Sequence, residues 1–234
     1  MSEKTEKKSM RESIGNILQN NKLALGVSLI IIVSISGLNL IPGPWSTLVS
    51  LLLIWLVSWF IRGTWSDLGV SRPRNIGKTI AIGVSVAIIS ELFVILVLLP
   101  LGQKAGIKPV DYSGLFPLKG NVGLFVMYLL ASWTTAGFGE EVLHRGFLMG
   151  QLTKLFGGKK SAWWISMIVV SIIFGLGHVY QGPMGMLLVT YSGLVFGTLF
   201  ILSGYNLWYT IIAHGTADTI VFLLLFTGLA ERFL

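Results

Sequence analysis

The chain contains 234 residues, of which 53% are hydrophobic and only 12% are charged, and its mean hydropathy is +0.79. A water-soluble domain usually carries about a quarter charged residues, so this composition predicts an all-α membrane protein. The absence of cysteine excludes disulfides and a thiolate nucleophile. The net charge of +7 is attributed to loops that orient a membrane protein, and no nucleic-acid partner is expected.

Apolar segments along the chain predict a polytopic bundle of about seven transmembrane helices. Residues 1–22 are polar and basic, which predicts a cytoplasmic tail in front of a single transmembrane domain at 23–234. About 20 apolar residues are enough for one helical crossing. The predicted spans are residues 23–41, which end at Pro42-Gly43-Pro44, and then 45–61, 80–99, 121–156, 161–179, 184–202 and 207–226.

Basic loops indicate how the chain is oriented in the membrane. The loops at 62–78 and 157–160 are rich in lysine and arginine, and such loops face the cytoplasm. With the predicted spans, both loops lie on the same side as the N-terminus. The sequence therefore predicts an integral membrane protein with a cytoplasmic N-terminus.

Ionisable residues interrupt the fourth predicted span. Glu140 and Glu141 are followed four residues later by His144 and Arg145, a spacing that brings side chains together on a helix. Ionisable residues inside a membrane are costly and indicate function. We expect Glu141 and Arg145 to form a neutralised structural pair. Glu140 would then face the other polar helices, where a buried carboxylate suits a general base.

Three more ionisable residues lie in later apolar segments, at His178, His214 and Asp218. The turn at 157–160 makes its flanking helices antiparallel, and Glu140 and His178 both lie about 28 Å from it along their helices. Equal height favours contact between these two side chains. His214 and Asp218 share one helical face. They lie only about 15 and 20 Å above the 203–206 turn, which leaves their depth relative to His178 open.

The three groups form an ordered signature on consecutive apolar helices. Glu140-Glu141-x-x-x-Arg145, Phe174-x-x-x-His178 and His214-x-x-x-Asp218 resemble the three motifs of the CPBP family. This family comprises type II CAAX prenyl endopeptidases and bacteriocin-processing or bacteriocin-immunity membrane proteins. The resemblance covers about residues 124–226, within a motif-bearing core of about 121–226.

The resemblance implies an intramembrane endopeptidase with a polar cavity inside the helical bundle. Glu140 and His178 would activate the attacking water, and His214 with Asp218 would stabilise the transition state. Glu141 and Arg145 would support the helix. Preplaced donors and a buried base act strongly in a water-poor site. The expected partners are membrane lipid and a membrane-associated peptide or protein substrate, in a bacterial plasma membrane.

Two positions depart from the family pattern. Residue 218 is Asp where several members have Asn, and an ionised Asp cannot donate to an oxyanion. Asp218 is therefore expected to be protonated or to orient His214. Residue 144 is His where an aromatic residue, commonly Phe, is frequent, which leaves His144 open as a spare base, an interfacial residue or a metal ligand.

Two other functions remain open from the sequence. A zinc metalloprotease could use Glu140, His178 and His214 as ligands and keep a fourth position open. The sequence lacks His-Glu-x-x-His, so no cofactor is favoured and zinc is the alternative. A non-catalytic immunity or peptide-binding protein is the second possibility. Outside the motifs, Glu91 is expected either to face the cavity or, as the favoured role, to serve helix packing, and Gly193-x-x-x-Gly197 predicts close helix contact.

Overall fold

Polar residues set the starts of several helices in a computed structural model, which describes residues 9–37, 45–61 and 63–232. Ser9 and Glu12 form a capping box, and the side chains of Asn75, Asn121 and Asn206 accept bonds from backbone N–H groups of the helices that follow. The helices are α1 (Met10–Asn20), α2 (Lys22–Gly37), α3 (Trp45–Phe60), α4 (Ile76–Lys104), α5 (Val122–Leu155), α6 (Lys160–Leu176), α7 (Gly182–Leu202) and α8 (Leu207–Phe226).

The all-α prediction is confirmed. The structure is 83% helical, and the described part of the chain contains no strand. The predicted break at Pro42-Gly43-Pro44, position 62 of the basic loop and residues 1–8 of the predicted tail lie outside the described residues. The division into a tail and one transmembrane domain stays a prediction.

Among the described residues, fewer helices are long enough to cross a membrane than the seven that the sequence predicted. In the described ranges, four helices are long and apolar enough to cross a membrane, and a fifth is possible if α1 and α2 form one span broken by their 91° bend. The helices α3 and α6 are apolar, but they have 16 and 17 residues. At 1.5 Å per residue they reach about 24 to 26 Å, less than a hydrocarbon core of about 30 Å. Seven crossings therefore stay a prediction.

The helix α1 is held against the end of α3. Arg11 Nη2 and Nε donate to the Trp59 carbonyl oxygen at 2.7 and 3.0 Å, and the guanidinium lies 4.4 Å from the centre of the Trp59 ring. Gln19 donates to the Ile61 carbonyl oxygen at 2.9 Å. These contacts give residues 10–20 of the predicted tail a fixed place beside the bundle.

The most buried segment of the chain is the charged one. Every residue from 141 to 149 is buried, and the apolar members pack with α3, α6 and α8 in one core cluster. That cluster includes Ile54, Phe147, Phe200 and Leu207. The fold therefore places the charged stretch of α5 at the centre of the bundle.

Small residues bring α6 and α7 close together, as Gly193-x-x-x-Gly197 predicted. A Cβ on Gly193 would lie 2.9 Å from the Ser171 Cβ, and one on Gly197 would lie 2.5 Å from the Met167 Cγ. Ser171 and Met167 belong to α6, so both glycines face that helix. The prediction of close helix contact at these glycines is confirmed.

Replacing Gly193 by alanine is expected to destabilise the protein. The added methyl group would also lie 3.0 Å from the Ser171 Cα, a backbone atom that cannot rotate away. Overpacking of this kind costs about 1 to 3 kcal/mol. Thermal unfolding of the purified protein should therefore show a lower Tm for Gly193→Ala. The control is Gly26→Ala, where nothing lies within 4 Å of the new Cβ, and equal Tm values for the two variants would contradict the packing described here.

Candidate active site

The helix that carries the first motif is not a regular α-helix. Residues Ser132–Glu140 and Val142–Leu148 are π-helical, and the two adjacent glutamates lie where these segments meet. Such segments are rare and occur frequently at functional sites. Thr134 and Thr135 donate hydroxyl bonds to carbonyl oxygens four residues earlier, at 2.6 and 2.7 Å, and such bonds often bend helices.

The carboxylate of Glu141, at the centre of this helix, binds an arginine and a histidine. Glu141 Oε1 accepts from Arg145 Nη1 at 2.8 Å and lies 2.8 Å from His214 Nδ1. Glu141 is 0% exposed and Arg145 1%. The predicted ion pair of Glu141 and Arg145 is present in the structure. The bond to His214 was not predicted from the sequence. It joins the Glu141–Arg145 pair directly to the third motif on α8.

One aromatic ring contacts residues of all three motifs. The ring of Phe174 lies 4.6 Å from the His144 ring, 5.0 Å from His178 and 6.1 Å from His214, measured between centroids. The Arg145 guanidinium lies 4.8 Å from the same ring. Phe174 is 4% exposed. The structure therefore brings the motifs together around a buried ring.

Two histidines are oriented by backbone carbonyl groups. His178 Nδ1 lies 2.8 Å from the Phe174 carbonyl oxygen, and His144 Nδ1 lies 2.9 Å from that of Glu140. A carbonyl oxygen can only accept, so Nδ1 carries the proton in each ring. In the neutral form, each Nε2 then has a free lone pair. His178 is only partly buried, so its lone pair can meet a water molecule or a substrate.

The carboxylate of Asp218 works as an acceptor. Ser132 Oγ donates to Asp218 Oδ2 at 2.7 Å, and His214 Nε2 lies 3.8 Å from the same oxygen. The two ring nitrogens of His214 thus face different carboxylates, Glu141 through Nδ1 and Asp218 through Nε2. Of the two roles that the sequence left open for Asp218, orienting His214 is the one this geometry favours.

A cavity of about 150 Å³ lies beside these side chains. Its wall includes His178, His214 and Asp218 together with Glu91 and Tyr112. Glu91 therefore faces the same space as the motif residues, which is the less favoured of the two positions that the sequence left open for it. The position of the cavity within the membrane stays a prediction. A larger cavity of about 440 Å³ at the Arg11–Trp59 contact contains no motif residue.

Glu140 lies next to this set and differs from its neighbour. It interacts electrostatically with His178, His214 and Asp218, but in the described part of the chain it neither lines the cavity wall nor forms a side-chain hydrogen bond. Its side chain is half-buried, whereas that of Glu141 is fully buried. Within the described residues, the carboxylate of Glu140 is thus not held by a hydrogen bond.

The histidine of the second motif lies in a turn rather than in a helix. The sequence predicted a span to residue 179, but α6 ends at Leu176 and His178 lies in the turn before α7. His178 and His214 nevertheless line one cavity, although their positions along the predicted spans differ.

Within the described ranges, no group of three or more His, Cys, Asp or Glu side chains is arranged to hold a metal ion. Glu140, His178 and His214, the ligands of the zinc alternative, are not such a group, and the expectation that no cofactor is needed stays a prediction. His144, the other candidate ligand, is buried, and its Nδ1 donates to the Glu140 carbonyl oxygen.

The site and the fold define a class of protein, a helical membrane protein with a buried carboxylate–histidine site. Residues 122–220 match the family described as Rce1-like: Type II CAAX prenyl endopeptidase Rce1-like. The match contains all three motifs and supports the predicted membership of the CPBP family. Residues 122–220 thus resemble a protease family, and the long apolar helices are those of an integral membrane protein. No curated protein and no solved structure matches it.

Three residues of the site were missed or given no role in the sequence analysis. Phe174 was named in the second motif without a role of its own. Ser132 is one of many hydroxyl residues in the apolar helices, and Tyr112 lies in a loop outside the motifs. Ser132 carries a weak signal, because it is a polar residue in the helix of the first motif. Nothing in the sequence around Tyr112 indicates its position.

The two glutamates are expected to differ in their effect on stability. Glu141→Ala leaves Arg145 buried without its carboxylate, and removal of one partner of a buried pair costs about 3 to 5 kcal/mol. Glu140→Ala removes no hydrogen bond that the structure describes. Thermal unfolding should show a clear loss of Tm for Glu141→Ala and little change for Glu140→Ala. The opposite order would contradict the assignment of Glu141 as the structural member.

Proposed function

We propose that this protein is an intramembrane endopeptidase that hydrolyses a peptide bond in a membrane-associated peptide or protein. The observation that carries the proposal is the contact of residues from all three motifs with the Phe174 ring. Helices that are distant in the chain converge there beside a cavity. A proton acceptor, a histidine pair and a nearby space are the requirements for activating water against a carbonyl group.

In this proposal Glu140 and His178 activate the water. His178 presents the Nε2 lone pair, because its Nδ1 proton is used by the Phe174 carbonyl oxygen. The Glu140 carboxylate has no structural bond to give up and takes the proton as the water oxygen attacks the peptide carbonyl carbon. The same proton is then passed to the leaving amine as the carbon–nitrogen bond breaks. Hydrolysis thereby yields a free carboxylate and a free amine.

His214 and Asp218 assist the transition state in this proposal. His214 faces Glu141 through Nδ1 and Asp218 through Nε2. When it carries both protons, its positive charge is balanced by these carboxylates and lies beside the developing oxyanion. Electrostatic stabilisation of this kind is often the largest single contribution to catalysis. Glu141 and Arg145 hold His214 in place rather than touching the substrate.

The substrate class follows from the location of the site and from the family. The family name refers to prenylated CAAX tails. For a bacterial member, leader peptides, bacteriocins or signalling peptides are the substrates we propose. The cytoplasmic N-terminus and the bacterial plasma membrane remain part of the proposal. Membrane lipid is the expected surrounding partner.

The proposed reaction is tested by comparing membrane peptides in cells that express the wild type, Glu140→Ala or His178→Ala. We expect cleavage products to be lost in both variants, because each removes a group that activates water. The control is Asp67→Ala, which removes an exposed carboxylate bonded only to Thr64. Cleavage that persists in both Glu140→Ala and His178→Ala would contradict the proposal. If cells that express Glu140→Ala keep the full wild-type phenotype, the result would favour a non-catalytic peptide-binding protein.

We also propose that the reaction needs no cofactor. The spacing of the acidic and histidine side chains in the described ranges supports this, because no group of three is arranged for a metal. Metal analysis of the purified protein should find no stoichiometric zinc, and cleavage should continue after treatment with a chelator. Stoichiometric zinc together with cleavage that a chelator abolishes and added zinc restores would favour the metalloprotease.

A further inference from the structure

The carboxylate at position 218 leaves the proposed oxyanion with one hydrogen-bond donor fewer than an amide would supply. Asp218 Oδ2 accepts from Ser132 Oγ at 2.7 Å. An ionised carboxylate has no proton to donate, whereas an asparagine at this position would supply an N–H₂ group. A second donor must therefore come from another residue on the cavity wall.

The uncharged donors on the cavity wall are Tyr112, Gln181 and Ser192. Ser192 Oγ donates to the Leu188 carbonyl oxygen at 3.1 Å, and Gln181 Nε2 uses one of its two N–H groups on the Tyr180 hydroxyl at 3.3 Å, so Tyr112 and Ser192 are the hydroxyl donors to compare. The Tyr112 hydroxyl has no hydrogen-bond partner among the described residues. Tyr112 is therefore the wall residue whose hydroxyl proton is available to a substrate.

The backbone fixes Tyr112 close to the second motif. The Asp111 N–H donates to the Gln181 carbonyl oxygen at 3.0 Å, and the Gln181 N–H donates to the His178 carbonyl oxygen at 2.9 Å. Two backbone bonds thus connect the residue before Tyr112 to His178. The Tyr112 ring also packs against the apolar cluster of Leu118 and Leu225. These contacts therefore hold the loop before α5 at the cavity.

Tyr112 keeps its proton at neutral pH. Burial and the neighbouring negative charges of Glu91 and Asp218 raise the pKa of Tyr112 to about 12. The loop that holds Tyr112 lies outside the candidate membrane spans, between α4 and α5. The side chain thus remains a phenol, which can donate, rather than a phenolate, which cannot.

We propose that Tyr112 is a further catalytic residue, whose hydroxyl donates a hydrogen bond to the oxyanion of the tetrahedral intermediate. The proposal rests on the endopeptidase activity proposed above. Tyr112 transfers no proton. The proton of the attacking water goes to Glu140 and then to the leaving amine, while the phenol stays intact throughout. In this chain the hydroxyl provides the donor that Asp218 does not.

The test combines Tyr112→Phe with Asp218→Asn, because the amide restores a donor at position 218. The probe is a synthetic, internally quenched form of a peptide whose cleavage in cells requires Glu140, placed in liposomes with the full-length protein. Loss of one oxyanion donor lowers kcat on the order of 10²-fold. We expect that loss for Tyr112→Phe in the Asp218 protein, with KM little changed. In Asp218→Asn the same substitution should cost about tenfold or less, because two donors to the same oxyanion share one site and their effects couple.

The matched control is Tyr128→Phe, which removes a hydroxyl from the apolar cluster without touching the cavity wall. It should leave kcat unchanged, and equal Tm values should show that both phenylalanine variants fold. Equal losses for Tyr112→Phe in both backgrounds, no loss at all, or a change in KM alone would overturn the role of Tyr112. A Glu140→Gln protein that cleaves the probe at the wild-type rate would instead overturn the proposed role of Glu140, and wild-type protein that leaves the probe intact would overturn the proposed endopeptidase.

Discussion

A single buried carboxylate oxygen holds the centre of this protein together. Glu141 Oε1 contacts Arg145 on its own helix and His214 on α8, both at 2.8 Å. A buried charge is costly unless it is paired and hydrogen-bonded, so these partners are required rather than optional. Arg145 extends the set, because Nη2 donates to the Gly193 carbonyl oxygen of α7 at 3.4 Å. Three helices are thereby fixed relative to one carboxylate.

Aromatic rings surround the Arg145 guanidinium and complete this arrangement. It lies 4.8 Å from the centre of the Phe174 ring and 5.6 Å from that of Phe196. A desolvated cation over an aromatic face is stabilised by about 2 kcal/mol. The rings that hold the cation also contact the histidines, since Phe174 packs on His178 and Phe196 on His214. The structural charge and the proposed catalytic groups therefore share their supports.

Local patterns in the sequence predicted the helices and the residues of the site, but not how the helices meet. The motif residues, the Glu141–Arg145 pair and the glycine contacts of α7 depend on neighbours within one or two helices, which spacing reveals. The bond from Ser132 to Asp218 joins residues 86 positions apart, and the docking of Tyr112 depends on a loop reaching Gln181. Spacing along one helix carries no information about such contacts.

The local helix geometry was missed for a different reason. Hydropathy marks where apolar residues are, but it does not show that α6 ends at Leu176 or that α5 widens into π-helical turns. In α5, threonine hydroxyls compete with backbone N–H groups for carbonyl oxygens. A regular helical period fails there.

The two adjacent glutamates show why local chemistry alone does not assign a role. Glu140 and Glu141 have the same side chain and lie at neighbouring positions, yet one is fully buried in a bonded network and the other is half-buried without a side-chain hydrogen bond in the described ranges. Protonation of a carboxylate bound to both an arginine and a histidine removes the negative charge that holds these two partners. Glu140 holds no such partners among the described residues. The structural bonds of Glu141 hold the helix at which Glu140 remains free to react.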